Sequence, residues 1–441
     1  MHANSRTTVG ALGSGLSRGP QFHARFARIS GILGMEDVMK LGKGIFSLVL
    51  AMAAILAWAG CGGGGCPTAT LSSTGGSGSG GGVSSAGTVC GPGTTPPPAN
   101  GNIAAFLYYK GTNTILGAGL STSGTFTALT TTPPTLPSSV GNDIAIVNKK
   151  FLYMPQSDSS TIQAFAIDRT TGTLNPISGN PFPSVSADSV GSDPAGRFLF
   201  AGSDTTGLVS VFQINATTGA LTAAPGSPFS AFNLDFAHTL SVDGSGKFLY
   251  VGQGSHFLPI YAFSIDQNTG ALSQVIGSPF GLNVAGVRTD FTGKYTVGLS
   301  AVVGDNHLYV FAIDATTGAL APVTGSPFAT SATTPYDLRV HPSSQFVYSF
   351  GQDVNGNIAA IEGFQLDPTT GALTPLTGSP FTGLPIVADC KWDQGGGEAF
   401  CANATALTFS VLDTNTSTGA LAHTVTDLNV TSSAVAFAPT D

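Results

Sequence analysis

Charge is scarce in this sequence. Only 9% of its 441 residues are Asp, Glu, Lys or Arg, and the formal net charge is −8 with a pI near 5.2. A protein that binds a phosphate backbone needs clustered positive charge, so we expect no nucleic-acid partner. The 59 glycines and the abundant Thr and Ser suit many short strands and tight turns better than amphipathic helices. The composition therefore predicts an all-β chain.

Motifs for nucleophilic or metal catalysis are also lacking. The only G-x-S-x-G outside a glycine-rich segment spans residues 15–19 and follows no predicted strand, so it is not a nucleophile elbow. Neither H-E-x-x-H nor a paired C-x-x-C occurs. We therefore expect neither a serine hydrolase nor a metal site, and no cofactor.

Residues 35–60 have the pattern of an export signal. Two lysines precede an apolar run over 45–58, which is too short for a stable membrane-spanning helix. Ala59-Gly60 before Cys61 resembles the bacterial lipobox, so we predict that Cys61 is the lipidated first residue of the mature protein. Ordinary secretory cleavage nearby is the alternative.

The flanks of this signal complete the predicted domain organisation. Residues 1–34 would prevent its recognition as an N-terminus, which indicates a start assigned too far upstream. Residues 61–102 are rich in Gly, Ser and Pro and form a predicted tether. Because Gly62 follows Cys61 in place of aspartate, we favour the outer membrane over the inner one for the anchored protein.

Repeats fill residues 103–441. An apolar strand ending in F-x-I-D, a turn of the type T-T-G-A-L, a second strand and G-S-P-F recur along the chain, in full at 311–328 and 364–381. Four strands in each repeat of about 49 residues predict a seven-bladed β-propeller. The seven turn glycines are Gly124, Gly172, Gly219, Gly270, Gly318, Gly371 and Gly419.

Both ends of the repeat region contribute to one blade. The region enters at F-L-Y-Y (106–109), which corresponds to the second strand of a blade, and residues 433–438 match the missing first strand. We therefore predict that the C-terminal strand closes the first blade as its innermost strand and leaves no open edge.

The repeats resemble a known family. The pattern F-x-I-D-x-x-T-G-x-L-x-x-x-x-G-S-P-F, followed by D-P-x-G-x-F-L-Y as at 193–200, is similar to the seven-bladed β-propeller lactonases, which include 6-phosphogluconolactonase-like and cycloisomerase-like members. The resemblance covers 103–441 and implies the propeller fold. It would imply lactone hydrolysis less strongly, because the shared residues belong to blade architecture.

Three blades place a cation at one level of the predicted channel. Alternate residues of each innermost strand face the channel, and the positions two before the D-P-x-G aspartate are polar or small. Among them, Arg288, Arg339 and Lys391 would bind an anion. Asp337 and Asp389 lie two residues earlier and are the candidate general bases of a lactonase. Alternatively, these carboxylates and cations pair with one another and only satisfy a polar channel.

Two functions remain open at this stage. The first is a surface module that binds an anionic or sugar-acid-like ligand or a protein or glycan partner. The second is an extracytoplasmic lactone hydrolase. We expect a monomer held to the membrane by its lipid. Cys390 and Cys401 are equidistant from a turn and could form a disulfide. His238 is expected to be a packed core histidine, and His341 to cap a turn.

Overall fold

The computed structural model describes most of residues 103–439. The gaps are residues 110–113, 121–125, 130–133, 135, 137–140, 142, 231–235, 255–258, 282–283, 301–304, 333, 353–354, 356–359, 404–407, 425–426 and 430–433. The predicted upstream segment, signal, tether and lipidation site at Cys61 lie outside the described residues. No helix among the described residues is long and apolar enough to cross a membrane.

Seven antiparallel sheets form the blades of a β-propeller, as the repeats predict. Blade 1 contains β1 (Ile103–Tyr109), β2 (Thr114–Leu120), β3 (Phe126–Ala128) and β31 (Ala434–Pro439). Blade 2 contains β4 (Ala145–Val147), β5 (Phe151–Gln156), β6 (Thr161–Ile167), β7 (Leu174–Pro176) and β8 (Phe182–Pro183). Blade 3 contains β9 (Ser189–Ser192), β10 (Phe198–Gly202), β11 (Val209–Ile214) and β12 (Leu221–Ala223).

The other four blades repeat this order. Blade 4 contains β13 (Thr239–Val242), β14 (Phe248–Gly252), β15 (Tyr261–Ile265) and β16 (Leu272–Gln274). Blade 5 contains β17 (Val284–Thr289), β18 (Tyr295–Ser300), β19 (His307–Ile313), β20 (Leu320–Pro322) and β21 (Phe328–Ala329). Blade 6 contains β22 (Thr334–Val340), β23 (Phe346–Gln352), β24 (Glu362–Leu366) and β25 (Leu373–Pro375). Blade 7 contains β26 (Val387–Trp392), β27 (Glu398–Asn403), β28 (Thr408–Thr414), β29 (Leu421–Ala422) and β30 (Leu428–Asn429).

The C-terminal strand closes the ring. Strand β31 pairs antiparallel with β1, with Phe106 opposite Ala438 and Leu107 opposite Phe437. The sheet order β3-β2-β1-β31 makes blade 1 a composite of the two ends of the domain. The predicted closure is confirmed.

The G-S-P-F motif has a structural role. The serine hydroxyl accepts the backbone N–H of a residue in the third strand, for example from Val211 to Ser227 at 2.9 Å and from Val310 to Ser326 at 3.0 Å. The phenylalanine that follows pairs with the start of the same strand, as a short fifth strand or an isolated bridge. The serines of this motif therefore fasten an outer segment of blades 3, 4, 5 and 6.

Turn glycines fasten neighbouring blades to one another. Gly318 of blade 5 has a φ of +76°, and a Cβ built there would lie 2.3 Å from the ring of Phe248 in blade 4. Glycine satisfies both conditions because it tolerates positive φ and has no Cβ. The carbonyl of the same glycine accepts a hydrogen bond from Tyr250 Oη at 2.9 Å. Equivalent bonds run from Tyr153 to Gly219 and from Tyr348 to Gly419.

The predicted disulfide is present. Cys390 on β26 lies opposite Cys401 on β27, and their sulfurs are 2.03 Å apart. Both side chains are fully buried in the core cluster between blades 6 and 7. The crosslink therefore ties the innermost strand of blade 7 to the next strand.

Candidate functional site

The innermost strands of three consecutive blades carry the predicted cations. Arg288 lies on β17, Arg339 on β22 and Lys391 on β26, and all three side chains are partly buried. Their chain neighbours alternate with them in burial, since Val287 and Leu338 are almost wholly buried. This alternation is the consequence of β geometry, in which successive side chains point to opposite faces.

Asp337 and Asp389 bind the arginines. Arg339 contacts both carboxylates, with Nη1 2.8 Å from Asp337 Oδ1 and Nη2 2.8 Å from Asp389 Oδ2. Its Nε also donates to the carbonyl of Cys390 at 3.1 Å. Arg288 lies farther from its partner, with Nη2 3.6 Å from Asp337 Oδ1. Arg339 is therefore the centre of the network, and Arg288 is held more loosely at its edge.

Lys391 reaches a carboxylate two blades away. Its Nζ donates to Asp143 Oδ1, although Asp143 precedes the innermost strand of blade 2. The contact therefore passes the closing strand of blade 1, where the sequence has Ala434 and Ala436. We call Asp143, Asp337, Asp389 and the three cations the charged cluster.

The charged cluster is neutral in total. Three carboxylates accompany three cations, so the expectation of a cationic channel wall is wrong for the net charge of the cluster. The reason is that Asp337 and Asp389, each two residues before a cation, lie on the same face of their strands as the cations, and Asp143 reaches Lys391 from blade 2. The alternative of mutual pairing describes most of these contacts.

A cavity opens onto four members of the charged cluster, whereas Asp337 and Asp389 do not line it. It measures about 520 Å³, within the usual range for small-molecule sites. Asp143, Arg288, Arg339 and Lys391 line it, together with residues from the turns that follow the innermost strands of blades 2 to 7. The structure therefore places the three predicted ligand-binding cations at one cavity at one end of the channel.

The two candidate bases differ in acidity. Burial raises the pKa of Asp389 to about 6; Arg339 and Lys391 offset this rise only in part, and the nearby Asp337 carboxylate adds to it. Burial also acts to raise the pKa of Asp337, but Arg339 and Arg288 outweigh it and the net pKa is lowered. Asp389 Oδ1 is buried and has no hydrogen-bond partner among the described residues. Asp389 is thus the better proton acceptor of the pair.

His238 does not lie in the core, and this prediction is wrong. Its side chain is 42% exposed, and Nδ1 lies 2.8 Å from Asp204 Oδ2. The residue precedes the first residue of β13, so the inward and outward alternation that the prediction assumed does not extend to it. Its hydrogen bond to Asp204 raises the pKa of His238 despite burial of part of the ring.

His341 takes the turn position that aspartate occupies in blades 3, 4, 5 and 7. Its Nδ1 accepts the backbone N–H of Ser343 at 3.2 Å, and its Nε2 lies 2.8 Å from the carbonyl of Gly396. Burial lowers the pKa of His341, so the ring is neutral and donates from Nε2. The turn-capping prediction agrees with these contacts. No group of three or more His, Cys, Asp or Glu side chains among the described residues could hold a metal ion.

Phe291 is a residue of the cavity that the sequence patterns did not indicate. This residue lines the cavity and is 56% exposed, although it follows Asp290 in a turn whose counterparts carry Pro, Gly or Gln. The available signal was the aromatic residue itself, at the second position of a D-x-x-G turn.

The described residues therefore form a closed seven-bladed ring with a cavity of small-molecule size at one end of its channel. Residues 112–230 match the family model described as "Lactonase, 7-bladed beta-propeller". The resemblance to lactonase-type propellers that the repeats indicate is confirmed. A comparison of the sequence with curated proteins found no match.

Solved structures support the same fold. A candidate 6-phosphogluconolactonase from Bacteroides uniformis has a TM-score of 0.61 and 17% identity, over 77% of this chain and 100% of its own. A second candidate, from Bacteroides fragilis, has a TM-score of 0.59 and 17% identity, over 78% and 100%. The periplasmic gluconolactonase of Pseudomonas aeruginosa has a TM-score of 0.57 and 14% identity, over 76% and 97%. At these identities the similarity shows the fold alone.

Proposed function

We propose that the protein binds a small sugar-acid-like ligand in the cavity at the charged cluster. The observation that carries this proposal is the convergence of Arg288, Arg339 and Lys391 on one cavity of about 520 Å³. The ligand carboxylate would contact Arg288, because this guanidinium has the longer of the two arginine contacts to Asp337. The Asp143 carboxylate, which also lines the cavity, would accept hydrogen bonds from ligand hydroxyls.

Calorimetric titration of the full chain with gluconate tests this proposal. Replacing a charged hydrogen-bond donor typically costs about 1.5–3 kcal/mol, so Arg288→Gln should weaken gluconate binding roughly tenfold to a hundredfold. Arg197→Gln is the matched control, since the Arg197 side chain is 40% exposed and does not line the cavity. Equal binding by wild type and Arg288→Gln would refute the assignment.

Lactone hydrolysis is the second candidate function, and Asp389 is the observation that favours it. A carboxyl with a pKa of about 6 beside a buried guanidinium could accept a proton from water while Arg339 stabilises the oxyanion. Hydrolysis of glucono-1,5-lactone above the spontaneous rate, lost in Asp389→Asn, would support an enzyme. Ligand binding without turnover would support a binding module.

We further propose that the protein is exported and anchored to the cell envelope through lipid on Cys61, with the outer membrane as destination. The apolar run, the lipobox-like residues and the Gly62 that follows support this proposal. Metabolic labelling with an alkyne fatty acid should mark the wild type and the control Cys66→Ala, but not Cys61→Ala. Labelling that persists in Cys61→Ala would contradict it.

A further inference from the structure

Phe291 is a large aromatic residue at the cavity, and 56% of its surface is exposed. It is one of three large hydrophobic side chains exposed among the described residues, and it lines the cavity together with Arg288 and Arg339. An exposed aromatic ring loses the stabilisation that burial would provide. An exposed ring beside convergent polar groups is a feature of binding sites.

The backbone of Phe291 is held on both sides. Its N–H donates to Ser344 Oγ in the turn of blade 6 at 2.8 Å. On the other side, the turn of blade 4 approaches so closely that a Cβ on Gly244 would lie 2.0 Å from the carbonyl oxygen of Phe291. The turns of two neighbouring blades therefore fix the position of this residue, which lowers the entropic cost of using it in binding.

The turn itself does not require an aromatic residue. Asp290 Oδ1 accepts the N–H groups of Lys294 and Tyr295 at 2.8 and 2.9 Å, and this closes the turn without the Phe291 ring. The corresponding positions in other blades are Pro194, Gly244, Pro342 and Gln394. Phe291 is thus replaceable for the fold and distinctive at the cavity.

We infer that Phe291 is a stacking platform that makes the cavity selective for a cyclic sugar acid or sugar lactone over an open-chain acid. The electron-rich face of an aromatic ring attracts weakly positive C–H groups, and a sugar ring presents several of them on one flat side. An open-chain polyol presents no such face. The inference rests on the proposed function, because the acid group is held by Arg288.

Two probes of equal charge test this inference. Methyl glucuronoside is a ring that does not open, and gluconate is an open chain, so their affinity ratio isolates the contribution of the ring. Calorimetry on the full chain should show that Phe291→Ala weakens methyl glucuronoside binding about threefold to tenfold, with less than about a twofold change for gluconate. Phe291→Trp should retain the preference of the wild type for the ring.

The control is Ile276→Ala, which removes an exposed hydrophobic side chain (95% exposed) that does not line the cavity. It should leave both affinities unchanged, and thermal unfolding should show that all variants are folded. An unchanged affinity ratio in Phe291→Ala, with binding still dependent on Arg288, would overturn the stacking role alone. Failure of the wild type to bind either probe would overturn the proposed function and this inference together.

Discussion

Arg339 satisfies two carboxylates at once, and its side chain is only 13% exposed. Removing one partner of a buried ion pair leaves uncompensated charge and typically costs about 3–5 kcal/mol. We expect Arg339→Met to lower the free energy of unfolding by about this amount in urea denaturation. Arg197→Met should cost less, because the Arg197 side chain is 40% exposed and Asp193 keeps its hydrogen bonds from the backbone N–H groups of residues 197 and 198. Similar losses in both variants would show that the network at Arg339 is not a buried one.

The raised pKa of Asp389 gives stability a defined pH dependence. A carboxyl whose pKa is higher in the folded state stabilises the fold below its unfolded pKa near 4, and this contribution disappears as pH rises to about 6. Asp337 acts in the opposite direction and in a lower range, because its pKa is lowered and its contribution disappears as pH falls below about 4. Arg339, Lys391 and Arg288 are the other charges that face Asp389.

The difference between wild type and Asp389→Asn isolates this contribution. From pH 4 to pH 6 the free energy of unfolding of the wild type should fall relative to that of the variant, and above about pH 7 the two curves should run parallel. Chemical denaturation at several pH values measures it. A difference that does not vary between pH 4 and 6 would exclude the raised pKa.

For single residues, the sequence predicted which face of a strand a side chain occupies better than it predicted what the side chain contacts. Strand alternation brought Arg288, Arg339 and Lys391 to one cavity, because period-two geometry needs only local pattern. The contact of Lys391 with Asp143 could not be predicted, since it joins residues 248 positions apart across blade 1. The exposure of His238 also depends on the loop that carries Asp204, which no repeat pattern specifies.

At the scale of the strand and turn, the glycine of the T-T-G turn meets two separate requirements, a positive φ and a close approach to a neighbouring ring. Gly318→Ala introduces a Cβ at positive φ and against Phe248, so we expect a loss of roughly 2–4 kcal/mol in the free energy of unfolding. Gly378→Ala is the matched control, because its φ is +84° but a Cβ there meets nothing within 4 Å. It should cost only about 1 kcal/mol. Equal losses would show that backbone strain alone explains the glycine that recurs in these turns.

Strands and turns were the features that the sequence predicted best. Each repeat contains its own turn chemistry, so strand order and the glycine positions followed from the sequence alone. The short pairing of the phenylalanine was not expected, either in β21, where the motif is G-S-P-F, or in β8, where it is G-N-P-F. Only two residues pair in each of these strands, which is too few to produce a periodic sequence signal.

At the scale of the whole molecule, ring closure depends on β31, which pairs with five residues of β1. A chain that stops after Asn429 would expose the edge of β1 and lose these backbone hydrogen bonds, at a cost of several kcal/mol. We expect it to aggregate or to unfold at much lower temperature. A chain that stops after Pro439 keeps the strand and should unfold as the full chain does. A stable, monomeric product from the shorter chain would contradict closure by this strand.

The tyrosine hydroxyls described for the fold do not occur in every blade. Tyr153, Tyr250 and Tyr348 lie in blades 2, 4 and 6, whereas the matching positions of blades 3 and 5 carry Phe200 and Val297. The tyrosine hydroxyl therefore occurs in alternate blades. Because the ring has an odd number of blades, this alternation must break at one pair of neighbouring blades. It fails beside blade 1, where the sequence has Tyr108 next to the tyrosine of blade 2. The tyrosine hydrogen bonds join blades 2 and 3, blades 4 and 5, and blades 6 and 7. Under mechanical load, the boundaries between blades 3 and 4 and between blades 5 and 6 should accordingly separate before the boundaries that these bonds cross.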